Sequence, residues 1–135
     1  MDCPVCENAM ITLELQQVEI DFCSECSGIW LYAGELEMLL TNPDKTAKLL
    51  ASFTQDTKST EKTRKCPICR KKMQKVLVGT SRPKILLDKC KKDHGLWFDK
   101  GELQEIISKA TLDKDNKITK LLADMFGEDL LTEKQ

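Results

Sequence analysis

The sequence predicts a small, metal-stabilised α+β fold written twice along one chain. Three observations carry that prediction: the cysteines come in close pairs, the first half of the chain recurs in the second, and each half holds two short strand-like apolar segments. The 135 residues contain seven cysteines, placed as Cys3-x2-Cys6, Cys23-x2-Cys26, Cys66-x2-Cys69 and a single Cys90. Seven thiols cannot all pair as disulfides, and two-residue spacers are the spacing of metal ligands.

The repeat is direct. "CPVC" (3–6) matches "CPIC" (66–69), "DFCSECSGIWLYAGEL" (21–36) matches "DKCKKDHGLWFDKGEL" (88–103), and "KLLASF" (48–53) returns as "KLLADMF" (120–126). This divides the chain into a first unit over 1–53, a linker over 54–65, a second unit over 66–127 and a tail over 128–135. The linker, "TQDTKSTEKTRK", has no apolar side chain. As a flexible chain it spans about 19 Å, enough to let the units meet without fixing their orientation. A solvated helix bridging the units is the other reading of the same composition.

Composition agrees with a soluble globular chain, at 41% hydrophobic and 32% charged residues. No run of eighteen apolar residues offers a membrane span. The start, Met1-Asp2-Cys3-Pro4, has neither the positive region nor the apolar core of a secretory leader. A cytoplasmic location is expected, and stable disulfides are rare there.

Each element has a sequence reason. In the first unit Ile11, Leu13 and Leu15 alternate with polar residues, as do Val18, Ile20 and Phe22, which predicts a hairpin with one buried face. In the second, Val76-Leu77-Val78 and Ile85-Leu86-Leu87 are apolar on both faces, which predicts a hairpin covered on both sides. A helix follows each tryptophan, marked by Leu36, Leu39 and Leu40 in one unit and by Leu103, Ile106, Ile107 and Ala110 in the other. Asp99-Lys-Gly-Glu102 has the form of a capping box, whereas Tyr32 stands where the first unit would need the aspartate. A further helix opens at Asn42-Pro43. Its counterpart runs from about Asn116 to Phe126, with a stripe of Ile118, Leu121, Leu122, Met125 and Phe126 stopped by Gly127. These stripes read as core.

The chemistry follows from the knuckles. A Cys-x2-Cys turn delivers two thiolates to one ion, and two such turns brought together by a hairpin make the closed tetrahedral site of structural zinc. The first unit supplies Cys3, Cys6, Cys23 and Cys26. The second supplies Cys66, Cys69 and Cys90, and His94, the one histidine of the chain, completes it. Imidazole reaches further from its backbone than a thiol, so Cys-x3-His can replace Cys-x2-Cys. Two zinc ions per chain then use every cysteine and the histidine. Units of this size bury little core, and a structural metal is the usual remedy. Four thiolates also suit iron at the first site. Cys-Pro-x-Cys occurs in dithiol redox sites too, but those use one reactive pair rather than two converging pairs. The fold class is thus two tandem zinc ribbons, each a β-hairpin with two knuckles followed by short helices.

These residues resemble a known family. Cys-Pro-x-Cys, a hairpin ending in Val-Glu-Ile-Asp-x-Cys, then Gly-Ile-Trp-Leu and Gly-Glu-Leu are similar to the small prokaryotic zinc-finger domain named for its likeness to the zinc ribbon of transcription factor IIB. The resemblance covers Cys3 to about Leu40 and Cys66 to about Ile107. It implies zinc at the same eight ligands and a ribbon with a short helix, and little about activity. The chain departs from the pattern at Tyr32, where the motif has aspartate, and at the Cys-x3-His of the second site. Trp30 and Trp97 are expected to pack on the hairpins and shield the sites, with exposed base-stacking as the alternative.

A net charge of −1 hides an asymmetry. Residues 1–40 hold eight acidic side chains and no lysine or arginine, whereas residues 66–105 hold ten basic against five acidic. An acidic unit is a poor partner for phosphate. The second unit is the candidate nucleic-acid surface, with Arg70, Lys71, Lys72 and Lys75 after one knuckle and Lys89, Lys91 and Lys92 around the other. No carboxylate dyad, serine nucleophile or phosphate-cradling loop marks an enzyme or a small-molecule substrate. The function expected is a non-catalytic zinc-binding protein, nucleic-acid or transcription associated through its second unit. The alternative is a protein-interaction or assembly module in which acidic and basic ribbons pack together, or on a protein partner or another copy.

Overall fold

All strands of both units join one antiparallel sheet in the computed structural model, which describes residues 1–15, 17–40, 43–79 and 84–109. The first unit gives β1 (Ile11–Leu15), β2 (Val18–Phe22) and β3 (Ile29–Tyr32), then α1 (Glu35–Leu39) and α2 (Pro43–Ala51). A two-residue β4 (Thr54–Gln55) precedes β5 (Gln74–Val78), β6 (Ile85–Lys89), β7 (Gly95–Phe98) and α3 (Glu102–Lys109). The order across the seven strands is β1-β2-β3-β7-β6-β5-β4. Asn42, the helix expected over 116–126 and the tail over 128–135 lie outside the described residues.

The hairpins take the registers their alternation implies. Leu13 lies opposite Ile20 in the first, and Val76 opposite Leu87 in the second. At the centre, β3 pairs with β7, matching Trp30 to Trp97 and Leu31 to Leu96. Because Trp30 and Trp97 are equivalent positions of the repeat, the two units meet about a pseudo-two-fold axis through this pair. Residues 54–65 form no helix; they begin as β4 on the edge of β5, and Asp56 donates its backbone N–H to the Lys75 carbonyl at 2.9 Å.

Alternation along the strands sorts side chains onto two faces. One face is aliphatic: Ile20, Leu31, Val78 and Leu87 are buried there with Phe98, under Leu36, Leu39 and Leu49 of the first unit's helices and Leu103 and Ile106 of α3. The other face carries Trp30, Trp97 and Met73 with Cys3, Cys23, Cys66 and Cys90. The metal-ligand knuckles of both units therefore sit on the side of the sheet away from the helices. Leu77 and Leu86, paired across the second hairpin, are half-buried, so that hairpin is only partly covered on its second face.

The Gly-x-Trp spacing shared by the units has its reason at the centre of the sheet. Both indoles are 0% exposed, and each lies over the glycine of the other unit. A Cβ on Gly28 would stand 2.1 Å from the Trp97 ring, and one on Gly95 would stand 2.7 Å from the Trp30 ring and 2.2 Å from the Leu31 carbonyl oxygen. The tryptophans are thus the seam between the units, which leaves neither ring open for base stacking.

Gly-Glu-Leu is likewise a structural unit. Gly34 and Gly101 hold φ of 87° and 79°, which side-chain-bearing residues rarely adopt, and so turn the chain into α1 and α3. The following glutamate reaches back to a backbone N–H: Glu35 to Tyr32 at 2.6 Å and Glu102 to Asp99 at 2.7 Å. The glutamate's reach-back of a capping box therefore forms in both units, Tyr32 notwithstanding. The Asp99 carboxylate also accepts the Trp97 indole N–H at 3.1 Å. With tyrosine at the matching position, the buried Trp30 indole N–H has no hydrogen-bond partner.

Candidate metal centres

Four turns of one design bring the ligands together. In the first knuckle Cys3 N–H donates to the Asn8 carbonyl at 2.8 Å and Glu7 N–H to the Cys3 carbonyl at 3.0 Å; in its repeat Cys66 N–H donates to Lys71 at 2.9 Å and Arg70 N–H to Cys66 at 2.8 Å. Glu7 and Arg70, each just after the second cysteine, hold left-handed φ of 65° and 62°. These turns aim backbone N–H groups at sulfur, with Val5 on Cys3 Sγ at 3.3 Å and Ile68 on Cys66 Sγ at 3.4 Å.

The remaining pair shows how histidine replaces cysteine. In the first unit Ser27 N–H closes on the Cys23 carbonyl, and Ser27, after the ligand Cys26, carries the left-handed φ of 63°. In the second, Asp93 N–H closes on the Cys90 carbonyl one residue earlier, and Asp93, before the ligand, takes φ of 60°. The turn is one residue tighter, the ligand moves one residue later, and the longer imidazole makes up the difference. Both turns end in the same pairing, Cys23 N–H to Gly28 and Cys90 N–H to Gly95.

The structure gathers Cys3, Cys6, Cys23 and Cys26 in one group and Cys66, Cys69, Cys90 and His94 in another, with the ligand atoms of each group all within 4.8 Å of one another. Zinc at about 2.3 Å from sulfur and about 2.0–2.1 Å from nitrogen sets tetrahedral edges of about 3.8 Å between sulfurs and about 3.5 Å between sulfur and nitrogen. The second group measures 3.8 Å for Cys69–Cys90, and His94 Nδ1 lies 3.4 Å from Cys90 and 3.8 Å from Cys66. The first is slightly tighter, at 3.4 Å for Cys3–Cys26 and 3.2 Å for Cys6–Cys23. Both donor sets fit one zinc ion each, and each set fills four corners, as a structural site does and a catalytic site does not.

The surroundings divide the thiols by acidity. The backbone N–H of Asn8 lowers Cys6 to about 7, with help from Cys23, and the backbone N–H of Lys71 lowers Cys69 to about 6. Burial raises Cys3 and Cys26 and pushes Cys66 up to about 11. Each centre thus pairs a thiol whose thiolate a backbone N–H favours with at least one whose ionisation burial opposes.

Behind each centre lies a buried carboxylate at the same repeat position, satisfied in different ways. Asp21, 4% exposed, accepts hydrogen bonds from Thr12 Oγ1 at 2.5 Å and Tyr32 Oη at 3.0 Å. Burial and the Asp21 carboxylate push the Tyr32 phenol up to about 12. Asp88, 1% exposed, faces Lys75 Nζ at 2.6 Å, and Glu61 of the linker joins the lysine at 3.2 Å. Burial raises the Asp88 carboxyl against the pull of Lys75. Burial alone would depress Lys75, but Asp88 and Glu61 outweigh it and hold the ammonium above its usual value.

This corrects the candidate phosphate contacts. Lys75 is buried and committed to two carboxylates, because it lies directly across the hairpin from Asp88. Lys89 pairs with Asp93, and the exposed Arg70 stands 3.8 Å from Asp2 of the first unit. Lys71, Lys72, Lys91 and Lys92 are exposed, with no side-chain partner among the described residues.

A sheet of short hairpins carrying paired knuckles around closed four-ligand centres defines a zinc-ribbon protein. The transcription factor zinc-finger family matches the chain twice, over residues 2–42 and 65–109, and the chain belongs to that family. No curated protein and no solved structure matches it. Among the described residues, no helix is long and apolar enough to cross a membrane.

Proposed function

We propose that this is a non-catalytic zinc-binding protein of the cytoplasm whose second ribbon holds nucleic acid by its phosphates. In this reading 1–53 and 66–127 are the two ribbon units with their helices, 54–65 joins them, and both ions are structural. The observation that carries it is the placement of Lys71 and Lys72 on one knuckle and Lys91 and Lys92 on the other, four exposed cations around a single metal centre. A metal-locked turn fixes their backbone, so that only side-chain freedom is lost on contact. With both tryptophans buried in the seam, stacking on unpaired bases has no platform from them, so contact falls to phosphates and is insensitive to sequence.

A second reading, an assembly module, draws on the exposed apolar side chains of Ile11, Met38 and Ile68. One titration separates the two. Fluorescence anisotropy of a short labelled duplex with the zinc-loaded full chain should show binding that weakens with salt, with a log–log slope of roughly −3 to −4 if all four lysines meet phosphate. Replacing the four by glutamine should flatten the slope towards zero. The full chain is used because an isolated second ribbon would lay bare the β7 edge and Trp97. No binding at about 50 mM salt ends the nucleic-acid reading and leaves the assembly reading.

A further inference from the structure

The first knuckles of the two ribbons and the end of the linker line a groove of about 420 Å³. Asp2 and Glu7 of the first unit, Arg70 of the second, and Lys62, Arg64 and Lys65 of the linker line it. Arg70 and Asp2 face each other at 3.8 Å, which leaves three cations against one carboxylate. Arg64 is held by its backbone, whose carbonyl accepts the Met73 N–H at 2.8 Å, while its guanidinium Nε is buried without a hydrogen-bond partner. Arg64 nonetheless lines the groove, and a guanidinium fork is the donor that suits a phosphate best.

We infer that this groove is a phosphate-binding site, with Arg64 as its central donor and Lys62 and Lys65 beside it. The inference deepens the nucleic-acid reading, since Arg70 runs directly into Lys71 and Lys72, but it rests on different residues. The linker then has a role beyond joining the units. Its sequence "KTRK" supplies the cations, and residues of the two knuckles complete the lining. A dianionic phosphate monoester would balance the excess of positive charge, and a phosphodiester would neutralise part of it.

The test is a titration of inorganic phosphate into the zinc-loaded full chain, followed by backbone amide resonances. The groove reading expects saturable shifts confined to residues 62–65 and Arg70. Arg64→Gln should weaken binding at least about tenfold, as loss of a charged hydrogen bond does. Lys62→Gln, at an exposed position that cannot disturb folding, should weaken it a few-fold. Asp2→Asn should tighten binding by freeing Arg70 and removing a competing charge, an effect of opposite sign that a purely structural role would not give. Shifts absent from the groove, or affinities unchanged in both Lys62→Gln and Asp2→Asn, would overturn the site. A duplex that moves the same amides assigns the phosphate to nucleic acid. Phosphate binding in the groove without duplex binding assigns it to a small phosphate ester, keeping the site while removing the nucleic-acid reading.

Discussion

Alanine at Gly28 or Gly95 tests the seam on which the two-ribbon sheet depends. At Gly28 the new methyl would lie 2.1 and 2.5 Å from two Trp97 ring atoms, in a site where the indole is 0% exposed. The ring has to retreat by about 1.5 Å to reach the ordinary carbon separation of about 3.5–4.0 Å. Overpacking of this kind costs about 1–3 kcal/mol. The alanine also restricts the unfolded chain, which returns about 0.4–1 kcal/mol, so the net loss should be about 1–2 kcal/mol. Gly95→Ala should be worse, at about 3 kcal/mol or more, because its nearest obstacle is the Leu31 backbone oxygen at 2.2 Å, held in the β3–β7 pairing and unable to swing aside. Urea unfolding of the zinc-saturated variants, followed by tryptophan fluorescence, measures both. If both variants stay within about 0.5 kcal/mol of the parent, the range of ordinary surface substitutions, the interlocked seam is wrong.

Two further outcomes follow from the buried groups. Lys75→Met strands Asp88 as an unpaired buried carboxylate and should cost about 3–5 kcal/mol in urea unfolding, whereas Lys75→Met with Asp88→Leu should recover most of that loss. If the double variant is no better than the single, the pair is not what holds the site. Chelation should unfold the chain, seen as loss of amide dispersion, and should turn slow alkylation of the cysteines fast. In the zinc-loaded, folded chain the slow reaction should begin at Cys6 and Cys69, which are half-exposed and whose thiolates backbone N–H groups favour. Uniform reactivity with and without chelator would contradict the assignment.

Much of the site was legible in the sequence because metal chemistry constrains it tightly. Knuckle spacing pointed to six of the eight residues that the structure gathers in two groups, and the repeat to the other two, since Cys90 matches Cys23 and His94 sits just before the shared glycine. The strands of both hairpins were legible through alternation. What brings the units together was harder to see, because strand pairing between distant segments leaves no local pattern. A signal was present in Gly28-Ile-Trp-Leu and Gly95-Leu-Trp-Phe, apolar on both faces and so in need of cover on both. β4 had none, being two polar residues on a sheet edge. Lys75 misled for a different reason. Its neighbours in sequence are basic, but its neighbour in space is Asp88, and only the hairpin register reveals that.

Native mass spectrometry of the metal-loaded chain counts the ions that the two closed centres hold. Two zinc ions per chain are expected, and one in His94→Ala, with the ion of the Cys3, Cys6, Cys23 and Cys26 centre retained. A single ion in the parent, or an unchanged count together with unchanged zinc affinity in His94→Ala, would contradict it.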